Sequence, residues 1–279
     1  MGAFPDLHVH SHQSPDSTAS MEEHCERALE IGLTHLAITD HLELHPDNLF
    51  YGRYDYESAR AEFDETAKKY GERLTLLFGV EITHQKSVTE SIVDALSGRD
   101  YDVVIGSVHY LENFGGDISS TKGTPAVFAH NDPAAVYEDY LERVVELAEC
   151  GLFDVIGHIG IIHRHATQFL AGIEPGRFEQ YFARIAEAVV KSGAALEVNA
   201  SGFNNPPNTT YPDERFIEEV IRRGCNRISV CSDAHTARGE RGLGAHVKKA
   251  LEIVRQCGIN EIVYYKNRKM QRCSISQTK

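Results

Sequence analysis

No stretch of this chain approaches the ~18 consecutive apolar residues that a membrane-spanning helix needs, which excludes that class of protein from its sequence reading. Positive charge is scarce. With 28 Lys and Arg against 41 Asp and Glu, the formal net charge is −13, and no basic face is available to release counterions from a nucleic-acid backbone over many phosphates. The six cysteines (Cys25, Cys150, Cys225, Cys231, Cys257 and Cys273) have no C-x-x-C spacing, so reduced, buried thiols are expected rather than a disulfide frame or a zinc ribbon. No signal-peptide pattern precedes "DLHVHSH", and the expected location is the cytoplasm. A Pro/Gly/Ser-rich linker, an internal repeat and a low-complexity tract are also missing, so residues 1–279 are expected to form a single domain.

Histidine, by contrast, is abundant. There are 15, and they fall beside acidic residues at the ends of short apolar runs. Those runs are "LHVH" (7–10), "HLAITDH" (35–41), "LTLLFGVEI" (74–82), "DVVIGSVHY" (102–110), "FDVIGHIG" (153–160), "ALEVNAS" (195–201) and "RISVCSDAH" (227–235). Between them lie amphipathic stretches with helix punctuation. Ser20 to Glu23 reads as a capping box for a helix stopping near Gly32, and Asp132-Pro133 as an N-cap with proline at the first helical position, closed at Gly151. Further helices are expected over 56–70, 89–97, 175–193, 212–224 and 244–258. The closing "EIVYYKNRKMQRCSI" reads as an added strand and a solvated basic tail.

Regular alternation of strand and helix predicts right-handed βαβ units around a parallel sheet, and seven such units favour one closed or nearly closed barrel. In such barrels the strand-to-helix loops converge at the carboxyl ends of the strands. Here each of six strand ends offers a ligand type: His8 and His10, then His41, Glu81, His109, His158, and finally Asp233 with His235. An isolated His-x-His is more often a solvated pair than a metal site. Several imidazoles and carboxylates brought to one mouth are different, because confined polar groups need hydrogen bonds or a cation. Mixed imidazole and carboxylate donors suit zinc, manganese or iron. Asn199 closes the sixth strand and points into the same mouth, to bond a substrate or orient a ligand. Glu43, His45 and Tyr51, in the loop after the second strand, are placed to recognise the organic end of a substrate, and Glu197 to support ligands or act directly.

The motifs "HxH" (8–10), "TDH" (39–41), "GVE" (79–81), "IGSVHY" (105–110), "GH" (157–158), "EVNASG" (197–202) and "SDAH" (232–235) occur in order over nearly the whole chain. In them the chain resembles the PHP (polymerase and histidinol phosphatase) family, and within it the stand-alone histidinol-phosphate phosphatases. The resemblance implies a distorted (β/α)7 barrel with three divalent metals. The first would take His8, His10, Glu81 and Asp233; the second Glu81, His109 and His158; the third Asp16, His41 and His235. His12 matches no ligand.

The implied activity is hydrolysis of L-histidinol phosphate, a step of histidine biosynthesis, through hydroxide held between metals and attacking phosphorus. Arg164 falls where the resemblance places a basic phosphate contact, with Arg238 and Arg241 as further cations after "SDAH". Asp233, then His235, are the expected proton donors to the leaving group. The expected partner is a small phosphorylated molecule, with neither nucleic acid nor membrane. Rival readings are a phosphoesterase for another small phosphate, an amidohydrolase-like enzyme, and a non-catalytic module of the kind found in bacterial replicative polymerases. The glutamate at 81 and the "SDAH" pair fit a phosphoesterase better than an amidohydrolase.

Overall fold

The computed structural model describes residues 4–275. Seven parallel strands form the frame: β1 (Phe4–Val9), β2 (Leu33–Leu42), β3 (Thr75–Thr83), β4 (Val103–Ser107), β7 (Val155–Ile156), β8 (Ala195–Asn199) and β9 (Ile228–Cys231), in the order β1-β2-β3-β4-β7-β8-β9. The chain segment after β9 then returns to β1. Asp233 N donates to His8 O at 3.1 Å, His10 N donates to Ala234 O at 2.9 Å, and Val9 bridges Ala234 in parallel. That seam closes the barrel, as the resemblance implied. Most strand residues are buried on both faces, as expected for parallel strands covered by helices.

Helices α1 (Met21–Ile31), α2 (Tyr56–Tyr70), α5 (Pro133–Glu149), α7 (Glu179–Ser192), α8 (Glu214–Arg222) and α9 (Val247–Gln256) form the outer layer, with the shorter α3 (Thr89–Leu96) after β3. Their punctuation is the expected one. Ser20 and Glu23 make both bonds of a capping box, Asp132 accepts from Ala134 N and Ala135 N ahead of Pro133, and Gly151 takes a positive φ of 70° after α5. Close approach of α5 to β4 requires Gly106, where a Cβ would fall 2.5 Å from Leu147 and Phe153.

Four features depart from the sequence expectations. β4 stops at Ser107, and a small hairpin, β5 (Tyr110–Leu111) with β6 (Gly116–Asp117), follows it. β7 is only two residues long. Two helices, α4 (Gly123–Ala129) and α6 (His163–Leu170), were not anticipated; both lack a side-chain N-cap, so the usual start signal is absent. Residues 261–274 form a hairpin, β10 (Glu261–Lys266) with β11 (Lys269–Ser274), rather than a strand and a solvated basic tail. Its turn is fastened to the barrel floor: Asn267 N donates to Asp102 Oδ1, Arg268 N to Asp102 O, and Arg268 pairs with Asp154.

Candidate metal centre

Strand register begins the site. β2 and β3 pair with His41 opposite Glu81, and β3 and β4 with Glu81 opposite Ile105 and Thr83 opposite Ser107. Alternation along a strand puts Glu81 and Thr83 on one face. The β9–β1 seam brings Asp233 and His235 to His8 and His10. His109 and His158 lie past the ends of β4 and β7, on irregular chain.

Glu81 is the centre, fully buried. Its Oε1 lies 2.7 Å from His158 Nε2 and 3.4 Å from His109 Nε2. Its Oε2 lies 2.9 Å from His41 Nδ1, 3.4 Å from His8 Nε2 and 3.6 Å from His10 Nε2. Beside it, Asp233 Oδ1 is 3.4 Å from His10 Nε2. On the rim, Asp16 Oδ2 is 3.2 Å from His235 Nε2 and 3.6 Å from His41 Nε2. Every ligand residue expected from the resemblance is thus brought to one mouth.

Two observations fit this group to cations. His8 Nε2 and His10 Nε2 face each other at 3.1 Å, and His109 Nε2 and His158 Nε2 at 3.3 Å. Each pair of lone pairs, aimed at one place, calls for a proton or a metal between or beside them. In addition, Glu81 Oε2 is buried and completes no hydrogen bond despite three nearby imidazole nitrogens, which is costly for a carboxylate oxygen without a cation. The imidazole and carboxylate donor set is that of zinc, manganese or iron.

Electrostatics tell the same story. Burial pushes the Glu81 carboxyl up, yet His8, His109 and His41 outweigh it and hold Glu81 well below the usual carboxylate range. Burial also opposes ionisation of Asp233, and the His10 hydrogen bond with the charges of His8, Arg164 and His235 again wins. Conversely, burial disfavours a charged His8, but Glu197 and Glu81 raise it well above its ordinary value. His10 is driven the other way, by burial and by its neighbours His41 and His235. The mouth is a place where positive charge must accompany the carboxylates.

Around these groups sits a layer that sequence reasoning largely missed. Ser14 Oγ donates to Asp40 Oδ1 at 2.7 Å and accepts from His41 N at 2.9 Å, 3.2 Å from His10 Nδ1. Thr83 Oγ1 donates to Glu43 Oε1 at 2.7 Å and lies 2.9 Å from His109 Nδ1. Thr83 had a signal, its place two residues beyond Glu81 on the same face; Ser14 had none.

Several expected substrate contacts are engaged elsewhere. Asn199 is fully buried with its amide spent internally, Oδ1 accepting from Ser201 N and Nδ2 donating to Glu197 Oε2, so it orients rather than binds. Glu43 is likewise buried, held by Thr83 and by Asn48 Nδ2. Arg238 forms a double ion pair with Glu30 in the last turn of α1, a carboxylate that Arg27 also approaches at 3.2 Å, so its guanidinium is engaged there. Arg241 donates to Asn204 O. His12 is half exposed beside Glu62. His45 stacks on Tyr110 with ring centroids 5.0 Å apart, and Tyr51 is exposed. Arg164 stays in the mouth, where Nη2 donates to Asp233 Oδ2 and Ser201 Oγ, each at 3.0 Å, while its Nε is buried without a partner.

Comparison with known proteins gives a consistent result. Residues 6–201 match the PHP domain. The chain is 28% identical over 277 residues to a probable histidinol-phosphatase of Deinococcus radiodurans, covering 97% of this chain and 100% of that one. It is 21% identical over 267 residues to a histidinol-phosphatase of Lactococcus lactis, covering 96% of each. Among solved structures, the fold matches the Lactococcus lactis histidinol phosphate phosphatase complexed with zinc, L-histidinol and phosphate, with a TM-score of 0.85, 18% identity, and coverage of 97% of this chain and 100% of that one.

Proposed function

Because the chain belongs to the PHP domain family, its domain matching more than half of the residues, we propose that it is a metal-dependent phosphatase converting L-histidinol phosphate to L-histidinol and inorganic phosphate. The observation that carries the reading is the buried Glu81 carboxylate ringed by imidazoles of four other strands or their loops, with Asp233 and Arg164 beside it. The relatives named for this activity span the full chain, which supports a single phosphoesterase domain and this substrate.

Three divalent ions, of zinc, manganese or iron, suit the donor groups: His8, His10, Glu81 and Asp233; Glu81, His109 and His158; Asp16, His41 and His235. When bound, they supply charge neutralisation for the phosphoryl oxygens and make water a nucleophile near neutral pH. The protein's own groups do the rest. Arg164, with a buried and unpartnered Nε, binds a phosphoryl oxygen and orients the ester. In this reading Asp233, beside His10 and Arg164, accepts the proton of the attacking water as the new P–O bond forms, then passes it to the alkoxide as the ester P–O bond breaks. His235, partly exposed at the rim, faces Asp16 in the third donor group.

Among the described residues no helix is long and apolar enough to cross a membrane. The test is phosphate release from L-histidinol phosphate and a panel of other monoesters, by protein reconstituted with zinc or manganese. Preferred turnover of L-histidinol phosphate, abolished by a strong chelator, is the expected result. Preference for another ester redirects the substrate, and no hydrolysis with bound metal overturns the reading.

A further inference from the structure

The pairing of β7 with β8 ends at Ile156 opposite Leu196, two residues before His158. A residue on irregular chain has no ladder to hold it, yet His158 Nε2 lies only 2.7 Å from Glu81. On the β4 side, Gly157 N donates to Gly106 O at 2.8 Å. On the β8 side the partner is a side chain: His158 N donates to Glu197 Oε2 at 2.8 Å. The other oxygen of the same carboxylate, Oε1, lies 2.8 Å from His8 Nδ1, which turns His8 Nε2 toward Glu81 and His10. Asn199 Nδ2 donates to Oε2 at 3.1 Å.

We propose that Glu197 is a positioning residue that fixes two metal-facing histidines at once, His8 through its ring and His158 through its backbone. The proposal rests on the metal centre of the reading above. Glu197 is nearly completely buried, and both of its oxygens are taken by donors on the side away from the imidazole Nε2 atoms, so it acts through its neighbours rather than as a ligand. The off-side carboxylate sets the tautomer of His8, with the proton on Nδ1 and the lone pair on Nε2. One carboxylate spanning β1, β8 and the segment after β7 therefore ties together parts of the site that no strand pairing joins.

The test is zinc retention by the full chain, without substrate. Glu197→Gln keeps the shape but replaces one acceptor oxygen with an amide donor, so it cannot accept from both His8 Nδ1 and His158 N. Glu197→Asp keeps the charge and shortens the reach by one methylene. The control is Asp154→Asn, in the same region but at the floor, where Asp154 Oδ2 accepts from Val104 N. Zinc is titrated into chelated protein against a chromophoric competitor, and nitrogen-15 spectra of the histidines are recorded on the zinc-loaded forms.

The expected result is that at least one zinc is held about 10- to 100-fold more weakly in both Glu197 variants, that the His8 Nδ1 proton signal moves or is lost, and that Asp154→Asn lowers the melting temperature without changing zinc affinity. If Glu197→Gln does not fold, the Glu197→Asp titration decides alone. Zinc affinities within twofold of the parent, or equal weakening by Asp154→Asn, overturn the proposal. Failure of the parent to bind zinc, manganese and iron alike ends both this proposal and the reading it rests on; where manganese or iron binds and zinc does not, the same titration is run with that metal. Failure to hydrolyse L-histidinol phosphate ends only the substrate assignment.

Discussion

Both ends of the barrel hold buried or half-buried carboxylates, but they satisfy them differently. At the floor, Asp102 accepts from Phe78 N and Asn267 N, each at 2.9 Å, and Asp154 accepts from Val104 N at 2.8 Å and pairs with Arg268. Their partners are fixed backbone groups and one guanidinium, and the outcome is a closed joint. At the mouth, Glu81 and Asp233 face imidazoles, groups that carry a proton, a metal or neither, and Glu81 Oε2 completes no bond at all. The same residue type is structural where its donors are permanent and chemical where they are exchangeable.

Substitutions at the two ends should therefore separate activity from stability. The largest effect is expected for Glu81→Gln: phosphate release should fall well beyond the ~100-fold typical of losing a supporting group, with fewer metals retained by mass spectrometry and the fold preserved by circular dichroism. Retained activity would erase the distinction between the ends.

Next, Arg164→Met removes a donor to the transferred group and the partner of Asp233. A loss of about 10²- to 10³-fold in kcat/KM is expected, the scale of losing one transition-state donor, with metal content unchanged. A histidine outside the mouth provides the third comparison. His84 is buried beside Phe153 with neither ring nitrogen bonded, and burial lowers its pKa to about 4.

A histidine with a folded pKa below its unfolded one binds fewer protons when folded, so its stabilising contribution is complete above about pH 6.5 and lost as the pH falls toward 4. Over that interval the cost is up to about 3 kcal/mol. Urea denaturation of chelated protein should show His84→Leu losing less stability between pH 7 and pH 4.5 than the parent. The smallest effect belongs to the floor: Asp154→Asn should cost about 1–3 kcal/mol of unfolding free energy and leave kcat/KM of the folded enzyme unchanged.

How much of this was legible beforehand varies with the physics of each part. Among the residues proposed to hold metal, those on true strand ends, His8, His41 and Glu81, announce themselves through period-two alternation. His109 and His158 were legible as residues but not as geometry, since each stands beyond its ladder. Asp16 came only through the family resemblance, because a loop carboxylate has no periodic signal. The hydroxyl supports Ser14 and Thr83 belong to a residue type too common to stand out.

The C-terminal hairpin was misread for a particular reason. Its two-residue turn holds Asn267 and Arg268 at φ 49° and 59°, the left-handed pair that two-residue hairpins favour and that Asn-Gly or Asp-Gly usually advertises. Arginine in the second position hides it, and "KNRK" reads as a charged tail. Asn199, Glu43 and Arg238 were assigned outward roles because sequence shows a polar group but not whether a neighbour already occupies it.

The seam between β9 and β1 has a consequence for how the protein comes into being. Asp6, beside the first histidines, is bonded by the backbone of Ser232, a separation of 226 residues, and Asp233 and His235 follow directly. Bringing such distant segments together is an entropic cost met only once intervening structure has formed. A nascent chain still on the ribosome, with its last strand unmade, can fold much of the helical shell but cannot assemble the full set of ligands. The donor groups that include Asp233 and His235 would then be complete only after synthesis of the closing strand, whereas Glu81, His109 and His158 all precede it, so that a prematurely terminated chain does not carry the complete cluster.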